Sequence, residues 1–282
     1  MPELPEVETM VRGIRQHVTG RKIRGFRDCG CRCKPLSLRP DLPELTRRMT
    51  GNTISEVRRL GKRVVLDLQD GASLAIEPRM TGLMVLADPP DVEHLRLEWE
   101  FAGRGEFDRL WFWDRRGLGT VRLFERGELE SALAGSLGPD ALTAPLTHWL
   151  GFCKRTSRPI KVVLLDQTCL AGIGNLYASE ILHVAKVGPA RPANQLTARE
   201  IGRLHQAAQD VLNDAIRHEG STLGDGTYRN ALNKAGGYQN VHRVYMKAGQ
   251  PCATCRKTAI ERIVQAQRST FYCPRCQPPK DR

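Results

Sequence analysis

The sequence predicts an α+β fold: a β-sandwich of antiparallel strands with a flanking N-terminal helix, followed by a helical domain that ends in a cysteine-bearing hairpin. Three observations carry this. Between residues 64 and 124 the apolar residues fall in short runs of strand length, and Leu95, Leu97, Trp99 and Phe101 alternate with Arg96, Glu98 and Glu100. Beyond a Gly- and Pro-containing stretch at 135–145 the period lengthens to that of helices. Near the C-terminus two Cys-x-x-Cys pairs stand seventeen residues apart. A chain of 282 residues has room for two domains of ordinary size.

The elements follow in order. After Pro5, Val7, Met10, Val11, Ile14 and Val18 form one apolar stripe, which predicts a first helix stopped by Gly20. Six strands are predicted next, at 64–68, 73–77, 83–86, 95–101, 109–113 and 120–124. Gly172-Ile173-Gly174-Asn175 leads into a short helix from Leu176 to about Ala185, which gives way to a Pro189/Pro192 turn. Such an entrance can aim free backbone N–H groups at a phosphate, although a Gly-x-Gly turn with no ligand fits the pattern equally. Thr197-Ala198-Arg199-Glu200 has the form of a capping box and opens a helix that buries Ile201, Leu204, Ala208, Val211, Leu212 and Ala215, closed by Gly220. Residues 221–240, rich in Gly, Asn and Tyr, read as a long mobile loop. The expected division is 1–130 for the sandwich, 131–145 for the linker, 146–236 for the helical domain and 237–282 for the hairpin.

Cys252, Cys255, Cys273 and Cys276 have the spacing of a zinc ribbon: each pair forms a knuckle with two thiolates, and a hairpin between them completes a tetrahedron. Two disulfides are the alternative, disfavoured in a chain of this size without a secretion signal. Cys29, Cys31 and Cys33 lack a fourth partner nearby and read as incidental. Cys153 and Cys169 read as small buried hydrophobes.

Charge points to the partner. The chain carries 43 Lys and Arg against 31 Asp and Glu, a net charge of +12. Residues 237–282 hold nine basic residues against Glu261 and Asp281, a local net of +7. Nucleic acid is the leading partner class. A mean hydropathy of −0.39 with 40 % hydrophobic residues excludes a disordered tail or fibre. No stretch approaches the roughly 18 apolar residues of a membrane span, so an intracellular protein is expected.

Met1-Pro2-Glu3 carries candidate chemistry. Removal of Met1 leaves Pro2 with a secondary α-amine, a group with a pKa of about 7.7–8.0 that is partly neutral near pH 7. A neutral secondary amine attacks an aldehyde-like sugar carbon, and the iminium formed is an electron sink for eliminating neighbouring phosphates. Glu3 beside it can move protons. Plain helix-start chemistry accounts for the same residues.

Four segments together resemble the formamidopyrimidine-DNA glycosylase family: Met1 to Thr9 (MPELPEVET), the Gly61-Lys62 turn, Leu165 to Glu180 (LDQTCLAGIGNLYASE) and Ala266 to Cys276 (AQRSTFYCPRC). They span nearly the whole chain in the family's order, and Leu4 is similar to this branch rather than to endonuclease VIII, which usually has glycine there. The resemblance implies a base-excision repair enzyme, with its site in a cleft between the sandwich and a helix–two-turn–helix domain. It would remove oxidised purines (8-oxoguanine, formamidopyrimidines) from duplex DNA and cleave the strand as an abasic-site lyase. Pro2 would attack C1′, Glu3 would assist ring opening and Glu6 would support the site. Lys62, Asn175 and Arg268 would hold phosphates at the lesion. Lys161 would be a further phosphate contact, or else a solvated surface lysine. Met80 would fill the space left by the flipped base, Arg116 would face the orphaned base and Leu118 would act as the wedge. One zinc ion would be structural, and the protein a cytoplasmic, nucleoid-associated monomer acting on double-stranded DNA with an oxidised base or abasic site.

Two positions depart from the family. Glu77 stands where a histidine is expected three residues before Met80, which puts one DNA contact in doubt. Asp114-Arg115-Arg116-Gly117-Leu118-Gly119 replaces Asp-Pro-Arg-Arg-Phe-Gly, so Leu118 takes the place of an aromatic wedge. Two other functions stay open on sequence alone: an endonuclease VIII-like glycosylase for oxidised pyrimidines, and a catalytically silent damaged-DNA-binding protein.

Overall fold

The protein is described from a computed structural model covering residues 2–224 and 226–279. Met1, and Lys280, Asp281 and Arg282 of the basic tail, lie outside those residues. The chain divides into two compact units. Unit 1 runs to Ala134 and takes in Ile216–Gln239; unit 2 comprises Gly135–Ala215 and the chain from Asn240 onward.

Unit 1 opens with α1 (Leu4–Val18), followed by β1 (Ile23–Asp28), β2 (Ser37–Arg39), α2 (Leu42–Met49) and β3 (Ile54–Leu60). Then come β4 (Arg63–Leu68), β5 (Ser73–Glu77), β6 (Leu83–Val85), β7 (Leu95–Phe101), β8 (Arg109–Trp113), β9 (Thr120–Phe124) and α3 (Glu128–Leu133). The strands make two sheets, in the orders β1-β7-β8-β6 and β2-β9-β5-β4-β3. All pairs are antiparallel except the short β2–β9 pair.

Val7, Met10, Val11, Ile14 and Val18 of α1 join one core with the inward residues of both sheets, among them Val64, Leu66, Leu74, Leu97, Trp99 and Phe112. The run Val64-Val65-Leu66 is apolar throughout because the five-stranded sheet is covered on both faces. Val64 and Leu66 enter the main core, while Val65 meets Ala75, Phe124 and Leu129 on the other side.

The alternation in β7 marks the strand correctly, but its polar face is not solvated. Arg96 and Glu98 are buried. Glu98 accepts from Arg27 Nε at 3.0 Å and from Trp111 Nε1 at 2.8 Å. Three strands and a helix before residue 64 (β1, β2, β3 and α2) fell outside the predicted set, since Arg, Thr and Pro interrupt their apolar pattern. Of the three cysteines read as incidental, Cys31 and Cys33 have their sulfurs bonded to each other, while Cys29 is a free thiol.

Unit 2 contains α4 (Leu146–Lys154), α5 (Ile160–Leu164), α6 (Asn175–Ala185) and most of α7 (Ala198–Arg217), then the hairpin of β10 (Glu261–Gln265) and β11 (Arg268–Tyr272). The capping box at the start of α7 forms as predicted. Glu200 Oε2 accepts from Thr197 N at 2.8 Å, and Thr197 Oγ1 accepts from Glu200 N at 3.3 Å. Cys153 is buried, whereas Cys169 is only half-buried. No helix among the described residues is long and apolar enough to cross a membrane.

The same Glu200 accepts from the buried Arg191, with Nη1 at 2.5 Å from Oε1. Burial alone would raise its pKa, but Arg191 and the Thr197 donors bring it from 4.5 down to about 2. A depressed carboxylate stabilises the fold fully above its unfolded pKa, and that contribution is lost as pH falls through the folded value. The stability gap between wild type and Glu200→Gln, read from urea midpoints, is therefore expected to be constant above about pH 5 and to shrink steadily towards pH 2. A gap independent of pH would reject this role for the pair.

Candidate nucleic-acid interface and catalytic amine

In unit 1 the chain start is a buried acidic site. Pro2, Glu3 and Glu6 are all buried. Glu6 Oε2 accepts from the Glu3 N–H at 2.9 Å, one arm of a capping box at the head of α1. Its other oxygen, Oε1, accepts from the Ser221 N–H at 2.9 Å, and the Glu6 carbonyl accepts from the Tyr228 hydroxyl at 3.3 Å. One carboxylate thus ties the first residues to Ser221, and the carbonyl of the same residue holds Tyr228. Burial beside Glu6 holds the Tyr228 phenol well above its ordinary pKa, so it stays a donor. Gly220 has φ +78° and lies so close that a Cβ there would sit 2.9 Å from Glu6 Oε1, which only glycine accommodates.

Lys62 sits in the β3–β4 turn behind Gly61 (φ +59°). Arg59 Nε donates to Glu8 Oε2 of α1 at 2.8 Å, and its Nη1 donates to the Gly61 carbonyl at 3.0 Å. That guanidinium ties the lysine's turn to the helix bearing Pro2 and Glu3. Burial would raise Glu8, but Arg12 and Arg59 hold it below the usual carboxylate range.

Met80, Arg116 and Leu118 come from two loops joined by Asp114, which is fully buried. Thr81 Oγ1 donates to Asp114 Oδ1, which also accepts from the Arg116 N–H at 3.2 Å; Oδ2 accepts from the Gly119 N–H at 2.8 Å. Met80 and Arg116 are exposed and Leu118 is half-buried. Glu77, at the position expected for histidine, accepts from Arg63 Nη2 at 2.9 Å and Arg79 Nε at 3.2 Å. A neutral or cationic ring is thereby replaced by a carboxylate that holds two guanidiniums beside Met80.

Unit 2 carries a separate cluster. Lys161 is not a solvated surface lysine: it is completely buried. Its Nζ donates to Asn175 Oδ1 and Thr270 Oγ1, each at 2.7 Å, and to the Ser269 carbonyl at 3.2 Å. Asn175 Nδ2 donates to that same carbonyl at 3.0 Å. The ammonium therefore fastens the N-terminus of α6 to β11, one residue from Arg268. Ala266 and Gln267, with φ +46° and +60°, form the two-residue turn of the hairpin and leave Arg268 exposed at its tip.

The four cysteine sulfurs lie within 4.8 Å of one another. Cys252 and Cys276 are 3.8 Å apart and Cys255 and Cys273 3.7 Å. Thiolates about 2.3 Å from a zinc ion form a tetrahedron with edges of about 3.8 Å, so the donor set fits that ion and leaves no position for water. His183 Nε2 lies 3.5 Å from Cys252 Sγ. Burial brings this histidine down to about pKa 4, so it is a neutral ring next to the sulfur. Glu180, fully buried, accepts from the N–H groups of Arg243, Val244 and Tyr245 at 2.8–2.9 Å and anchors the chain entering the module.

Several of these supports were not singled out from the sequence. Asp114 and Glu180 lie within motifs whose more reactive residues carry the stronger signal. Ser221, Tyr228 and Thr270 gave no local signal, because their partners are over a hundred residues away.

Residues 1–121 match the formamidopyrimidine-DNA glycosylase N-terminal domain, 137–226 the formamidopyrimidine-DNA glycosylase H2TH domain, and 249–279 a zinc finger found in FPG and IleRS. The formamidopyrimidine-DNA glycosylase of Chloroflexus aggregans is 41 % identical over 282 residues, 98 % of both chains. That of Bacillus anthracis is 37 % identical over 99 % of both. Among solved structures, the MutM (FPG) protein of Thermus thermophilus aligns with a TM-score of 0.84 at 38 % identity, covering 98 % of each chain. A Lactococcus lactis FPG mutant in complex with Fapy-dG-containing DNA aligns with a TM-score of 0.86 at 32 % identity, covering 99 % of this chain and 100 % of that one. Together with the sulfur geometry, the zinc-finger match assigns the cysteine cluster one structural zinc. Matched in all three of its parts and along nearly its full length, the chain belongs to the formamidopyrimidine-DNA glycosylase family.

Proposed function

We propose that this chain is a base-excision repair DNA glycosylase with abasic-site lyase activity, acting on oxidised purines in double-stranded DNA. Supporting it most directly is the buried Pro2-Glu3-Glu6 start of α1, where a chain-terminal amine, once Met1 is removed, stands beside one carboxylate and on a backbone pinned by another. A DNA-binding module has no need of that arrangement. Leu4 supports the purine branch of the family over the pyrimidine one. The family's relatives include a solved complex with DNA carrying Fapy-dG.

In this mechanism the neutral Pro2 nitrogen attacks C1′ of the damaged nucleoside. The C1′–N bond breaks, the base leaves with a proton, and Glu3 assists opening of the sugar ring. The resulting iminium withdraws electrons from C2′, so loss of a C2′ proton expels the 3′-phosphate and a second elimination expels the 5′-phosphate. Hydrolysis releases Pro2. Lys62 in unit 1, and Asn175 with Arg268 in unit 2, neutralise the strand's phosphates, the arginine fork suiting their geometry. Lys161 acts through Asn175 rather than on DNA itself. Met80, Arg116 and Leu118 occupy the vacated stack, which lowers the few kcal/mol that base flipping costs. The substrate places this work with chromosomal DNA, in the cytoplasm at the nucleoid.

Borohydride reduction on an 8-oxoguanine:C duplex is expected to give a covalent adduct on Pro2 of protein lacking Met1, strongly diminished in Pro2→Gly. With Met1 absent, no adduct on either that duplex or an abasic one removes the lyase. Lys161→Met leaves Asn175 Oδ1 and Thr270 Oγ1 without their donor, a loss of about 1–3 kcal/mol. Capture of abasic DNA should therefore weaken roughly tenfold or more, and Asn175→Ala should add little on top. Wild-type affinity in Lys161→Met would refute the positioning role. Since Leu118 stacks less well than an aromatic ring, discrimination between C and A opposite the lesion is expected to be weaker than in Leu118→Phe. Equal ratios in the two proteins would show that the wedge does not set opposite-base preference.

A further inference from the structure

Residues 29–34 read Cys-Gly-Cys-Arg-Cys-Lys, and the fold pairs two of the three sulfurs, Cys31 and Cys33. All three cysteines are half-buried and so reachable by small reagents, and Arg32 and Lys34 beside the pair are exposed. The thiolate is the form that oxidants attack. Cys29 differs: burial, with Glu98 and Asp28 nearby, pushes its thiol up to about pKa 11 and keeps it unreactive.

Both ends of this segment are tied to one residue. The Cys29 N–H donates to the Arg96 carbonyl at 2.9 Å, and the Lys34 carbonyl accepts from Arg96 Nη1 at 2.9 Å. Arg96 Nε in turn donates to the Asp114 carbonyl at 2.7 Å. Gly117, at φ +58°, passes so close that a Cβ on it would lie 2.2 Å from the Lys34 carbonyl oxygen. The backbone next to Cys33 and the loop carrying Arg116 and Leu118 are thus packed without slack. Residues 31–34 meet residues 114–119 directly at Gly117 and through Arg96.

We propose that Cys31 and Cys33 form a reversible oxidation site, with a peroxide or a low-molecular-weight disulfide as oxidant, whose state sets the position of the 114–119 loop and with it opposite-base preference. With peroxide, one thiolate attacks an oxygen and becomes a sulfenic acid as water leaves. The second thiol displaces the sulfenic oxygen as another water, so two thiols and one peroxide give a disulfide and two waters. A dithiol reductant restores both thiols by exchange.

The test equilibrates the full-length zinc-loaded protein in reduced or oxidised glutathione buffers, alkylates free thiols and maps them by peptide mass, with zinc content measured in parallel. Amide hydrogen exchange over residues 114–119 is read in both states, and excision opposite C and A is compared. The expected result is a Cys31–Cys33 disulfide in oxidised buffer with zinc retained, and altered exchange at Arg116 and Gly119. The C-to-A ratio should move roughly threefold or more, within the range that coupling through packed side chains supports. A Cys31→Ser/Cys33→Ser double variant should give one value in both buffers. Alkylated Cys31 and Cys33 in oxidised buffer, or a mapped disulfide with unchanged exchange, overturns the proposal. Because exchange needs no substrate, shifted exchange in a protein that excises nothing would uphold this site and reject the glycosylase reading.

Discussion

A carboxylate or ammonium removed from water costs several kcal/mol unless its lone pairs or protons find partners. This chain meets that requirement with Glu6, Asp114, Lys161 and Glu180, each buried, and each taking partners from sequence-distant or loop backbone. Glu6 pins the chain start, Asp114 the loops carrying Met80 and Arg116, Lys161 the join between α6 and β11, and Glu180 the approach to the zinc module. An unpaired charge at any of them would destabilise far more than a lost surface contact, so the geometry of the exposed residues is set by the satisfaction of the buried ones.

The architecture was legible where periodicity was strong. The stripe Val7 to Val18, the alternation in β7, the capping box at Thr197 and the cysteine spacing each led to an element found in the structure. Short elements with mixed composition were not legible. β2 has three residues and takes its place from pairing with β9, a tertiary interaction with no local signature. The site divides in the same way. Reactive residues announce themselves by type, whereas supports such as Ser221 and Thr270 act through a backbone N–H or a hydroxyl whose partner is set by the fold. Lys161 shows the limit most clearly, since nothing in its neighbours separates a solvated lysine from one that is wholly enclosed.

The departures from the family's motifs also make physical sense as a set. Gly117 occupies a left-handed conformation pressed against Lys34, where a side chain would collide with backbone. Arg115 donates to Thr227 Oγ1 at 3.0 Å, so a residue standing where the family has proline instead joins the 114–119 loop to the segment after Ser221. Glu77 gathers Arg63 and Arg79. The loop thus exchanges intrinsic stiffness for tertiary ties.

The bond between Glu6 and Ser221 spans 215 residues, and unit 1 is completed only when the chain through Gln239 is available. During synthesis on the ribosome the first helix emerges early, yet its carboxylate waits for a donor while Gly135–Ala215 is made in between. Unit 2's first segment is in effect an insertion that unit 1 must tolerate before it can close. A nascent chain therefore carries Pro2, Glu3 and Glu6 long before it carries Ser221, whose N–H holds the Glu6 carboxylate.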